Sequence, residues 1–154
     1  MIQRIQTIYM LCASALVAAA LFMPLAFFAT KGDFFDLYAI GLKTIDGELA
    51  QKTIYMFLLL IGAALLPIIN IFLYKNRMLQ IRLCVVEIVL LIGASAMMGL
   101  YYFLSYRFFS SLEISTQGFK PALMFPFIAI FFVYLAAKAI FKDELMIRSV
   151  DRIR

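Results

Sequence analysis

No histidine occurs anywhere in the chain. That absence removes the usual haem and zinc ligand and the side chain best suited to shuttle protons near neutral pH. The only cysteines are Cys12 and Cys84, far apart and in no CxxC pair, so a thiol–disulfide relay has nothing to work with. The seven glycines stand singly, which excludes a Walker loop and a dinucleotide fingerprint. No cofactor and no metal are therefore expected. Charge is scarce as well, at 15% of residues, against about 25% in soluble domains.

What fills the chain is apolar side chain: 66% of its 154 residues, with a mean hydropathy of +1.00. This is membrane composition, with room for one integral membrane domain over 1–154. The net charge of +5 would suggest nucleic acid in a soluble protein. Here the basic residues flank apolar runs and point to orientation in a bilayer, with no nucleic-acid partner expected.

About 20 apolar residues cross a hydrocarbon core. Runs over 8–28, 54–74, 83–106 and 121–140 each suffice, so the sequence predicts an all-α four-transmembrane-helix bundle with a helical tail over 141–154. The first run outlasts the ~7–15 residues of a signal-peptide core and is read as a retained helix. Nine basic residues (Arg4, Lys75, Arg77, Arg82, Lys138, Lys142, Arg148, Arg152, Arg154) fall on one side, and five (Lys31, Lys43, Lys52, Arg107, Lys120) on the other. The positive-inside rule then places both termini in the cytoplasm and loops 29–53 and 107–120 outside. Tyrosines near both ends of the runs, such as Tyr9, Tyr74, Tyr55 and Tyr102, fit interfacial belts.

Small residues mark expected helix contacts: "CASALVAAA" in the first run, Gly62–Ala64 in the second, and Gly93, Ser95 and Gly99 in the third. Pro24, Pro67 and Pro126 are expected to bend their helices. The outer loops carry strand signals. "FDLYAIGLKT" alternates Tyr38, Ile40 and Leu42 against smaller or polar partners, Asp46-Gly47 reads as a hairpin turn, and "SLEISTQG" alternates up to Gly118. Two or three short strands would form a small β-sheet cap, either docking a partner or merely plugging the helix ends.

One acid lies inside a run. Glu87 falls about 6 Å beyond Leu83 by helical rise. Asn70, Gln6 and Lys138 come from the other three runs at a matching depth, which makes a candidate polar layer. Intramembrane acids are functional candidates by default. The competing reading, favoured by shallow depth and nearby basic groups, is a pin that accepts hydrogen bonds from Asn70, Gln6 or Lys138. Arg148 and Arg152 on the tail, with Lys75 and Arg77 in the inner loop, are candidate contacts for anionic lipid or a partner.

The segments "MIQRIQTIYM", "YKNRMLQIRLC" and "AAKAIFKDELMIRSVDRIR" resemble a Bacteroidota family of small four-span inner-membrane proteins, catalogued only as a domain of unknown function. The resemblance covers essentially the whole chain and implies a Gram-negative inner membrane, but it brings no activity, cofactor or site residue. The topology is also loosely similar to claudin-type four-helix proteins, whose outer sheet is fed by the first and third connections. The paired cysteines of those proteins are missing from these loops.

Three functions compete. The first is a non-enzymatic accessory or scaffold subunit with a membrane-protein partner or a second copy of itself. The second is a small proton-coupled exporter that uses Glu87. The third, ranked last, is a lipid-modifying enzyme, since Asp33, Asp36, Asp46, Glu48 and Glu113 lie outside with no base paired to them.

Overall fold

The computed structural model describes residues 5–30, 34–44, 49–73, 76–110 and 114–151, with backbone alone at Ala50, Phe109, Ser110, Ile114, Ser115 and 147–151. Among the described residues, four helices are long and apolar enough to cross a membrane. They are α1 (Ile5–Phe22), α2 (Ile54–Phe72), α3 (Arg77–Ser110) and α4 (Phe125–Asp151), the last preceded by a 3-10 turn, Pro121–Met124. Each helix packs on two neighbours in the ring α1–α2–α3–α4.

The buried positions reveal how. In α1 they include 6, 10, 13, 17 and 20; in α2, 56, 60, 63, 67 and 70; in α3, 80, 84, 87, 91, 94, 98, 101 and 105; in α4, 129, 133, 136 and 140. Steps of three and four alternate throughout. A seam with that average spacing of about 3.5 residues keeps facing the same neighbour along a slightly supercoiled helix. Alanines at many of these positions let the backbones approach, the main source of helix affinity in lipid.

The first run does not stay helical to residue 28, as the hydropathy suggests. α1 ends at Phe22, and Ala26–Thr30 is a strand, β1. Pro24 is the cause: it disfavours helical geometry at Met23 and lacks the N–H that a continuing helix needs. Pro24 therefore ends a helix instead of bending one. Pro126 stands at the second residue of α4, directly after the 3-10 turn, where its fixed φ suits a helix start. Pro67, in the middle of α2, is the one proline deep inside a helix among the described residues.

β1 joins β2 (Phe34–Leu37), β3 (Gly41–Thr44), β4 (Leu49–Lys52) and β5 (Ile114–Phe119) in one antiparallel sheet of order β4-β3-β2-β1-β5. Five strands form where two or three were expected. Asp46 and Gly47 lie outside the described residues. A tight turn through Ala39 and Ile40 links β2 to β3, closed by Tyr38 N–H to Gly41 O at 2.9 Å and Gly41 N–H to Tyr38 O at 3.2 Å. Gly41 is required here, because a Cβ would sit 2.5 Å from the Gln51 carbonyl oxygen.

The sheet's inner face forms a second core of Ala26, Phe28, Leu37 and Leu42, with Phe35 and Tyr102 packed against it. Tyr102 is the hinge of this junction: its ring lies 5.3 Å from that of Phe28 and 4.4 Å from that of Phe119. α3 reaches so far because its 34 residues extend about 50 Å, well beyond a ~30 Å hydrocarbon core.

The glycines depart from expectation. An added Cβ on Gly62, Gly93 or Gly99 meets nothing within 4 Å, and Gly99 is exposed. The contact residues of α3 in that stretch are Leu91, Ala94 and Met98.

Candidate functional site

At the bundle end opposite the sheet, the seam positions become polar. Gln6, Asn70, Gln80 and Glu87 are all buried there. Asn70 closes the α2–α3 junction with Gln80 in a reciprocal clasp. Its Nδ2 donates to Gln80 O at 3.2 Å, and Gln80 Nε2 donates to Asn70 O at 2.9 Å. Asn70 Nδ2 also reaches Cys84 Sγ at 3.3 Å. On the far side of the layer, Gln6 Nε2 donates to Asp143 Oδ2, tying α1 to α4. Arg77 Nη1 donates to Asp143 O at 3.2 Å, tying α3 to α4.

Glu87 stands apart from these ties. Its side chain is 0% exposed, and neither carboxyl oxygen has a hydrogen-bond partner among the described residues. Asn70 Oδ1 is buried and unpartnered in the same way. Cys84 connects the two, bonded to Asn70 and one helical turn from Glu87. Three acceptor oxygens without donors thus gather around one turn of α3. Buried polar groups are nearly always satisfied, so such a cluster asks for a proton, a cation or water.

The four residues of the sequence-derived layer therefore separate. Asn70 and Glu87 flank Cys84; Gln6 turns to Asp143; Lys138 is exposed on α4. None of Asn70, Gln6 and Lys138 hydrogen-bonds Glu87, contrary to the pin the sequence suggested. The reason is helical phase: Asn70 is engaged by the residues that open α3, and Lys138 falls outside the α4 seam of 129, 133, 136 and 140. Of the candidate lipid contacts, Arg77 is held by Asp143, while Lys75, Arg152 and the side chain of Arg148 lie outside the described residues. Gln80, Cys84 and Asp143 escaped the sequence reading. The signal that would have found the first two is the four-then-three spacing from Gln80 through Cys84 to Glu87 within an apolar run.

A second feature lies on the outward face of the sheet. Register places Phe27 beside Asp36 and Asp36 beside Lys43, so these side chains share that face. Lys120, from the connection between β5 and α4, donates to both Asp36 oxygens at 2.9 and 3.0 Å. Lys43 instead lies 5.0 Å from the centroid of the Tyr38 ring. Together with Phe34 and Thr44 these residues line an open cleft of about 510 Å³.

No curated protein sequence matches the chain. A family profile does match, over residues 2–153, so this four-helix chain with its antiparallel cap belongs to the family described as a domain of unknown function (DUF4293).

Proposed function

We propose that this chain is a non-enzymatic accessory or scaffold subunit of a bacterial inner membrane, in a Bacteroidota host, that docks a partner through its outer cap. The observation that carries this reading is the cap itself. A five-stranded sheet stands on a helix that outruns the bilayer, and it has its own core. A plug over helix ends needs neither. The cap draws four strands from the first connection and one from the third, an arrangement that supports the claudin-like comparison. Basic residues flanking the opposite bundle end support cytoplasmic termini. The cytoplasmic tail is the other presentable surface, since α4 runs on to Asp151.

Crosslinking of the tagged full chain in native membranes, followed by mass spectrometry, tests the proposal. The expected result is one reproducible partner, or a second copy, whose recovery falls on Phe34→Asp in the cap. A chain recovered alone would overturn it.

A second reading is favoured by a separate observation, the three unpartnered acceptors around Cys84. In that reading Glu87 loads and releases a proton in a small exporter. Proton-coupled uptake in proteoliposomes that vanishes with Glu87→Gln supports it; unchanged uptake removes it.

A further inference from the structure

We infer that the cleft on the outward face of the sheet is a binding site for a small amphipathic anion, one carboxylate or similar head carried on a flat apolar body. The inference does not depend on whether the cap also docks a protein.

The cleft is built by register. Phe27 on β1 is flanked by Gly118 on β5 and by Asp36 on β2. Gly118 lets the Phe27 ring lie down across β5: a Cβ there would sit 2.5 and 2.8 Å from two ring carbons. The strand glycine thus exchanges a side chain for a flat aromatic floor, the arrangement by which an aromatic neighbour covers a glycine in a sheet. Phe34, 58% exposed, and Tyr38 complete the apolar lining. A volume of about 510 Å³ lies in the range of small-molecule pockets, roughly 300–1,000 Å³.

Charge decides which class of ligand the cleft selects. Among the described residues, two lysines and one aspartate line it. Lys120 grips both Asp36 oxygens. Lys43, directly across from Asp36 in the ladder, is left with the Tyr38 ring and, among the described residues, no carboxylate partner. A cation entering the cleft would meet an excess of positive charge. A neutral ligand would gain no ion pair from Lys43. An anion satisfies Lys43 by a charge-assisted hydrogen bond while its body stacks on Phe27 or Phe34.

Three water-soluble probes with one body and different heads test this: 2-naphthoate, 2-naphthamide and 2-naphthylmethylammonium. They are titrated by calorimetry into the full chain in uncharged maltoside micelles, with empty micelles subtracted. The expected result is saturable naphthoate binding at one site per chain, roughly tenfold tighter than the amide, which is about the worth of one charge-assisted hydrogen bond. Lys43→Met should bring naphthoate down to the amide level, and Lys43→Arg should keep the preference. Asp36→Asn frees Lys120 and should tighten naphthoate further. Phe34→Ser, at an exposed position, should weaken all three probes alike. Naphthoate that binds no tighter than the amide overturns the inference. So does a preference that survives Lys43→Met, which would mark a generally cationic surface, and so does a lack of saturable binding.

Discussion

Replacing Glu87 with methionine separates a structural pin from a carboxyl kept for use, because the two predict opposite signs. The side chain is fully buried, and both oxygens lack donors among the described residues. A buried polar atom left unsatisfied costs about 1–3 kcal/mol. Methionine has similar length, no polar atom and good helix propensity, so it fits the same seam position without that penalty. The expected outcome for Glu87→Met is a gain of about 1–3 kcal/mol. At about 2–4 °C per kcal/mol for a chain of this size, that is a rise of several degrees in unfolding temperature in lipid discs. Glu87→Gln keeps the polar burial and should change little. A pin behaves otherwise: removing one partner of a buried charged contact costs about 3–5 kcal/mol. A clear fall in stability for Glu87→Met would refute the geometry around Cys84. A rise would mean that stability has been given up at this position, the usual mark of a working group.

Gly118→Ala should loosen the cap by about 1–3 kcal/mol, since its Cβ would collide with the Phe27 ring. Amide exchange in β1 and β5 should rise, and Phe27→Leu should restore protection. Asn70→Leu removes the donors to Gln80 O and Cys84 Sγ, at a cost of about 1 kcal/mol. The fully buried Cys84 should then react faster with a maleimide, while Cys12 stays as it was. Ser14→Ala deletes the 3.0 Å bond to the Ala64 carbonyl and should lower stability by about 0.6 kcal/mol, the average for such bonds between helices in lipid. A larger loss would mean that α1 and α2 depend on that one contact.

Hydropathy made the four helices legible, because crossing a bilayer demands long apolar runs. It could not mark where the first helix stops. Ala26–Thr30 is apolar enough to continue the run, and only Pro24 separates helix from strand. The alternation in 35–44 announced strand but not its phase: Tyr38 lines the outward cleft, Ile40 falls in the turn between β2 and β3, and Leu42 packs in the inner core. β1 gave no such pattern: Phe27 and Phe28 are both apolar, one over Gly118 and the other in the core. The interior of the bundle was hidden for a related reason. Lipid and protein core both accept leucine and valine, so apolar periodicity carries no phase, and the polar seam residues Gln80, Glu87 and Ser105 carry it instead. Glycine misled, because smallness permits a close contact without making one.

The pairing of β1 with β5 fixes an order of assembly. β1 through β4 lie close in sequence and can pair as successive hairpins as soon as the connection between α1 and α2 has been made. The partner of Ala26 on the other side is Phe119, which arrives only after two more helices have been inserted. Until then β1 is a bare edge, the kind of surface that recruits foreign strands. Such distant pairings form late because loop closure must come first. Completion of the sheet thus reports that α2 and α3 are in place: the chain seals its own exposed edge with a segment that comes two helices later.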